Sequence, residues 1–464
     1  MNNLEELALF ISEFDICDAP GKVIHSAELC VLDTVGVAIG GSVDPLVESV
    51  ARAFLQLDRS SQNAAICGTT VWGTGSRASA PRAAFLNAMN GHILELDDVH
   101  TRSKTHIGTV VIPAAWAGAE ETGASGSDFL EAVICGYEAM ARIGMGFGVT
   151  AHRERGWHVT GTAGTFGAAA ACAKLLKLDS EGVLNALALA GAQSFGVWAF
   201  LSDGSANKIL HPASASRIGM EAAYLAKAGM TGPRHILEAE DGGLFPAMSG
   251  DYDLSKVSAG LGVEWELTRL DKKPYPCCRS AHCAIDAALD IKRGHSPDIK
   301  QIESVRVNTY NVGYAQCGAS GTSVNPGKPS DARFSIPYTV ACALLYDNVG
   351  LEHFEPEFIH SESVRALMSR VRVFPDAAFS ALYPEHWGCE MIVTLHDGRV
   401  LSAVIRDASG SEDNPMTDER VIAKAVSCAA ISIGWARAKT MADSVLGIAS
   451  RTALPDLAAE ETEA

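Results

Sequence analysis

The chain has 464 residues, 47% of them hydrophobic and 20% charged, with a formal net charge of −18. These values argue against a disordered chain, and the negative balance argues against nucleic acid and anionic membranes as partners. The length exceeds what one hydrophobic core usually supports, which predicts more than one domain.

In chain order, the N-terminus MNNLEELALFISEF is acidic and amphipathic, without the basic start and long apolar run of a secretory signal. No apolar run reads as long enough to span a bilayer. Twelve cysteines without a CxxC pair fit free thiols in a reducing cytoplasm. Apolar residues at helical spacing predict helices at Leu29–Ile39, Leu46–Leu57 and Phe129–Phe147. The Ala/Gly-rich stretch Thr165–Leu178 predicts close helix–helix approach, Asp179 and Ser180 read as the cap of a helix over Val183–Ala192, and Ala213–Gly229 is one more. Beyond about residue 265 the period changes. Ile302–Val312, briefly Val371–Phe374, and two runs of Cys389–Ile405 around Asp397-Gly398 alternate as strands, with helices at Ala281–Lys292 and Pro337–Leu345. After about Ser409 helix returns over Asp418–Ile433, and the acidic tail AAEETEA is expected to fray. The predicted architecture is a large all-α helical domain plus a smaller α+β lid: 1–265 helical, 266–407 α+β, and 408–464 returning to the helical domain.

No GxxxxGK[ST] or GxSxG is present, and Gly144–Gly148 lacks the strand–turn–helix setting of a dinucleotide site. The stretch GHILELDDVHTRSKTHIGTVVIP, Gly91–Pro113, places three histidines and three carboxylates between two apolar segments. Three readings are open. His92, Glu95, Asp97, His100 or His106 would bind a metal, although no HExxH-like spacing supports this. Alternatively the acids cap the next helix. Third, the loop is part of a metal-free acid/base site. Four later segments favour the third reading. Trp157–Thr162 sets His158 before a Gly/Ala-rich helix, whose N-terminus attracts anions. SDGSANKILH carries Lys208, DKKPYPCCR carries Lys273 ahead of two backbone-fixing prolines, and DARFSIPY carries Arg333, Ser335 and Tyr338. Together they supply cations, two histidines and a tyrosine, a set suited to binding two carboxylates and removing a proton between them.

The acidic loop GHILELDDVH…THIG, then WHVTGTAGTFGAAAA, NKILHPASASRIGMEAA, KPYPCCRSAH and ARFSIPYTVACALL, in this order over roughly residues 30–405, resemble the MmgE/PrpD family. That family contains 2-methylcitrate dehydratases, cis-aconitate decarboxylases and iminodisuccinate epimerase. The resemblance implies a helical domain with an α+β lid, a homodimer, and an active site between the domains that uses no metal or organic cofactor. It places the site histidines at His106 and His158, the lysines at Lys208 and Lys273, the tyrosine at Tyr338, and the acidic position at Glu95 with Asp97 and Asp98 close behind. Arg333 joins the acids as a substrate-binding candidate. The family's shared step, moving a proton next to a carboxylate, would use the lysines to stabilise an enolate-like dianion. His106 would be the base, with Tyr338, His158 or a loop acid on the opposite face.

Dehydratase and decarboxylase members read DDT…HP in this loop, whereas here Val99 and Ile107 replace the threonine and the proline and the loop is one residue longer. The missing hydroxyl leans the reading toward an epimerase of an iminodisuccinate-like dicarboxylate. A 2-methylcitrate-type dehydratase is the alternative, and a cis-aconitate-type decarboxylase the weaker third. A non-catalytic binding protein is the contrasting class, disfavoured because buried charges without a use are costly. The expected ligand is a small anionic carboxylate, with no nucleic acid or membrane partner. Cys277-Cys278 reads as packing, and His92 and His100 receive no role.

Overall fold

The computed structural model describes residues 1–59 and 68–457; the AAEETEA tail lies outside them. Most of the chain is helical, and one small sheet sits in its second half. Two large apolar cores, with two smaller clusters beside them among the described residues, organise these elements. The first gathers buried side chains from Leu4 to Leu270 and again from Ala425 to Ile448. The second gathers them from Tyr275 to Ala408. The chain passes between the cores at Leu270–Tyr275, beside the candidate site.

Small residues let the helices of the first core touch. Helix Gly21–Gly41 lies against Asp418–Leu446, and a Cβ on Gly36 would meet the Ala425 backbone at 2.6 Å. Helix Gly126–Gly146 lies against Val159–Leu175, where a Cβ on Gly136 would stand 2.9 Å from the Gly167 carbonyl oxygen. The Ala/Gly-rich helix thus starts at Val159, six residues before the periodicity suggests. Its first turns carry β-branched threonines, weak helix formers in isolation, that the core buries. Asp179 caps helix Ser180–Gly191, accepting from the Gly182 amide at 2.8 Å.

One reading is corrected: helices Gly21–Gly41 and Asp418–Leu446 are both long and apolar enough to cross a membrane. The apolar window of the first is 78% buried inside the protein, as in a core helix. The second runs on to Leu446 and is kinked at Gly434, whose φ of 75° an L side chain rarely adopts.

A short hairpin that periodicity missed, β1 (Thr69–Val71) with β2 (Ser76–Ala78), is too brief for alternation to register. The four-stranded sheet comprises β3 (Ile302–Thr309), β4 (Val371–Pro375), β5 (Cys389–Leu395) and β6 (Val400–Ile405), in the order β4-β3-β5-β6. β3 runs parallel to β4 and antiparallel to β5. The β5–β6 hairpin turns at Asp397-Gly398 with Gly398 at φ 87°, as that dipeptide predicts. Helix His282–His295 packs on β5 and β6. The strand predicted to reach Val312 ends at Thr309, because Asn311 begins a helix running to Cys317.

Candidate functional site

Helix Ala80–Ile93 delivers His92, and a loop of residues 94–107 follows before helix Gly108–Thr122. Glu95 and Lys104 take left-handed backbone, with φ of 53° and 56°, which folds the loop back on itself. Three clasps hold it. The Asp98 carboxylate accepts from the Gly108 amide at 2.9 Å and from the Tyr137 hydroxyl at 2.8 Å. Val99 and Asp271 exchange backbone hydrogen bonds of 2.9 and 2.8 Å. The His106 amide donates to Thr160 Oγ1 at 3.2 Å. His100 gains a structural role, held between Ser103 at 2.7 Å and Glu266 at 3.0 Å.

The clasp at Val99 aligns the segment that carries Lys273. Lys273 is fully buried, and its ammonium donates to the Glu95 carbonyl at 2.9 Å, with Glu95 Oε2 at 3.4 Å and Asp97 Oδ1 at 3.7 Å. Lys208, at the start of helix Leu210–Lys227, makes an ion pair with the other Glu95 oxygen. Burial alone would raise the Glu95 carboxyl, but Lys208 and Lys273 outweigh it and hold the group well below the usual carboxylate range. Burial lowers the Lys273 ammonium, yet Glu95 and Asp97 leave it raised and charged.

Asp97 Oδ2 lies 2.7 Å from His92 Nδ1 and 3.1 Å from His106 Nδ1. The second neighbour of His106 Nδ1 is the Asp98 carbonyl oxygen, at 3.1 Å. Both neighbours only accept, so Nδ1 carries the hydrogen and Nε2 is left as a bare base. Burial pulls the His106 imidazole down to about 4 against the opposing pull of Asp97, so the ring is neutral at physiological pH. His92, Asp97 and His106 also bring ligand atoms within 4.8 Å of one another, close enough for a cation. The hydrogen bonds through Asp97 account for this arrangement without one.

His158 stands immediately before helix Val159–Leu175 and pairs Nδ1 to Nδ1 with His211 at 2.7 Å. One ring must donate and the other accept, so the pair cannot carry two protons on these atoms. Burial, then His211 and Lys208, holds the His158 imidazole well below its ordinary value.

Glu95, His106, His158, Lys208 and Lys273 line one cavity of about 650 Å³. Of the other expected site residues, Asp97 supports His106 from behind, and Asp98 is a helix cap rather than a substrate ligand. Burial raises the Asp98 carboxyl to about 6 despite the Gly108 and Tyr137 hydrogen bonds. Tyr338 is a correction: its hydroxyl donates to the His353 carbonyl and its ring packs 5.9 Å from Phe354, away from this lining. Arg333 lines a neighbouring cavity of about 740 Å³ that shares Glu95, Lys208, Gln316 and Phe334 with the first. Cys277 is buried packing, as expected, whereas Cys278 lines the first cavity. Its hydrogen bond with Cys317 lowers the thiol to about 7 against burial.

Sequence reasoning missed Lys104, His152, Arg153, Arg279 and Tyr383 on the cavity wall. Two of them carried a signal: Lys104 sits in the loop that is one residue longer than expected, and Arg279 ends the DKKPYPCCR segment.

The family model of the MmgE/PrpD N-terminal domain matches residues 5–256, and that of the MmgE/PrpD C-terminal domain matches residues 275–447. Cis-aconitate decarboxylase-like protein oryM of Aspergillus oryzae is 28% identical over 99% of this chain and 97% of its own length. Cis-aconitate decarboxylase of Aspergillus terreus is 26% identical over 96% and 92%. 2-Methylcitrate dehydratase of Escherichia coli is 24% identical over 51% and 50%. With both family models aligned in order along nearly its full length, this chain belongs to the MmgE/PrpD family.

Proposed function

We propose that the chain is a lyase acting on a small di- or tricarboxylate, with decarboxylation of a cis-aconitate-like acid as the leading reaction. The observation that carries this reading is the pairing, in one cavity, of a neutral histidine base of fixed tautomer with buried lysines. Loss of CO₂ leaves an electron pair next to a remaining carboxylate. Fixed cations in a water-poor cleft stabilise that charge as it develops. Lys208 and Lys273 take this role, with Glu95 holding both in place, and the helix start after His158 adds its partial positive charge. His106, with a bare Nε2, has no proton to give there, so proton delivery to carbon falls to His158, whose Nε2 carries the hydrogen when its Nδ1 accepts from His211. The full-length relatives carry the decarboxylase name, which sets the order of the readings.

Dehydration is the second reading. A neutral His106 with a bare Nε2 suits abstraction of a proton next to a carboxylate, the step that precedes loss of hydroxide. The lean toward an epimerase is not supported. It rested on Val99 and Ile107: Val99 bridges to Asp271 through its backbone and lines the cavity with an apolar side chain, Ile107 is buried packing at the start of helix Gly108–Thr122, and neither favours an epimerase over a lyase. The relatives named above are lyases.

The cytoplasmic, homodimeric enzyme expected from the sequence is part of this reading. The described cysteines are free, and Ile431 and Trp435, on either side of the Gly434 kink, stand more than half exposed, the kind of apolar surface a partner subunit covers.

The test is proton NMR of the protein with cis-aconitate, 2-methylcitrate and iminodisuccinate in D₂O, with and without EDTA, plus ¹³CO₂ release from carboxyl-labelled cis-aconitate. Labelled CO₂ with a new alkene signal supports decarboxylation. An alkene from 2-methylcitrate without CO₂ moves the assignment to dehydration. Deuterium exchange with a changed diastereomer ratio and neither product restores the epimerase. No change in any of them removes the lyase reading.

A further inference from the structure

The cations of the cavity fall into two kinds. Lys208, Lys273 and Arg279 each face a carboxylate of the protein: Glu95, Glu95 with Asp97, and Asp271 respectively. Lys104 and Arg153 line the same cavity, and among the described residues neither makes an ion pair or a hydrogen bond through its charged end. Lys104 Nζ and Arg153 Nε are buried without a hydrogen-bond partner, and so is the Tyr383 hydroxyl beside them. Both cations lie on aromatic faces instead. Lys104 Nζ sits 3.9 Å above the Tyr383 ring, and the Arg153 guanidinium sits 4.4 Å above the Trp198 ring. A ring face stabilises a cation through its quadrupole without consuming its N–H donors. Those donors are left for something else.

Two like charges in one buried wall repel each other. Burial first, and then Arg153, lowers the Lys104 ammonium to about 7. The arrangement is unfavourable alone and becomes favourable once an anion lies between the two. The protein assembles it from distant parts of the chain: Lys104 from a left-handed loop position, Arg153 from the short helix Val149–Glu154, and Tyr383 from the α+β half.

We propose that Lys104, Arg153 and Tyr383 form the anchor for a second carboxylate of the substrate, the one that does not react, while the chemistry takes place beside Lys208 and Lys273. This deepens the reading of the cavity as a polycarboxylate site and rests on it. The lysine and guanidinium would share the carboxylate oxygens through charge-assisted hydrogen bonds, with the tyrosine hydroxyl donating a third. The ligand class is therefore an acid with at least two carboxylates, rather than a monocarboxylate.

The experiment is titration calorimetry of the full chain with propane-1,2,3-tricarboxylate, which has neither a hydroxyl to eliminate nor a double bond. Butyrate is the single-carboxylate control. Lys104→Met and Arg153→Gln should each weaken tricarboxylate binding about 10- to 100-fold, the usual effect of deleting one hydrogen-bonded charge in a buried site. Tyr383→Phe should weaken it less, by about 3- to 10-fold. Butyrate should bind weakly to the wild type and change little in any variant. Lys104→Arg keeps the charge and should stay within a few-fold of wild type, which separates a loss of charge from a loss of packing.

Tricarboxylate binding unchanged within twofold in both Lys104→Met and Arg153→Gln overturns the anchor, as does a wild type that binds no tricarboxylate. Turnover by NMR decides the lyase reading separately. Charge-dependent binding without turnover keeps the anchor and removes the lyase, and turnover with unaffected binding does the reverse.

Discussion

Two sets of cations face one cavity and are held in opposite ways. Lys208 and Lys273 are tied to a shared carboxylate, Glu95, which sits at a strained left-handed backbone position. Lys104 and Arg153 rest on aromatic rings and, among the described residues, have no carboxylate partner. The first set is locked before any ligand arrives, which suits groups that must meet charge as it develops. The second set is satisfied only by a ligand, which suits groups that bind. A buried ion pair broken on one side leaves an uncompensated charge, whereas removing an uncompensated charge relieves one. The two sets should therefore respond to mutation with opposite signs in stability.

The largest effect is expected at Glu95. Glu95→Gln removes the counter-charge of two buried lysines and should cost about 3–5 kcal/mol of stability, read by denaturant unfolding. A loss under about 1 kcal/mol would mean that the lysines lean on other groups and the comparison fails. Lys273→Met should lower kcat about 100- to 1,000-fold, the effect of deleting one transition-state charge stabiliser. The same variant should change KM far less. An equal rise in KM with kcat intact would place Lys273 with the binding set. Lys104→Met should do the converse. It should raise KM for a tricarboxylate and leave stability unchanged or improved by up to about 1 kcal/mol, read as a melting temperature at or above that of wild type.

The pH profile sharpens the contrast on the locked side. The His106 imidazole is depressed to about 4, so it stays an available base until the pH falls through that value. The acidic limb of kcat/KM should lie near 4 and not near the ordinary histidine value of about 6.5. A limb near 6.5 would mean that the ring is hydrated or that a different histidine serves. The smallest effect is expected at Tyr338. Its hydroxyl holds the His353 carbonyl outside the cavity, so Tyr338→Phe should cost about 1 kcal/mol of stability and leave kcat/KM unchanged. A loss of activity there would return the tyrosine to the catalytic set in which the family resemblance placed it.

The sequence by itself determined the elements and their order. Apolar spacing marked the helices of the first core, and Asp397-Gly398 marked the hairpin. The motif segments identified Glu95, His106, His158, Lys208 and Lys273 as one site. The elements and the hairpin are set by short-range backbone geometry and side-chain period, which neighbouring residues encode, whereas the site residues were grouped by the family resemblance. Only the tertiary structure decided which charges cancel. Asp97 and Asp98 are adjacent and chemically identical, yet one supports His106 and the other caps a helix, because the chain turns between them. Arg333 and Tyr338 share the motif DARFSIPY, yet one lines a neighbouring cavity and the other holds a backbone carbonyl. Lys104 and Tyr383, distant in sequence, meet at 3.9 Å. Compensation between charges depends on through-space distance and burial, and no local pattern carries either.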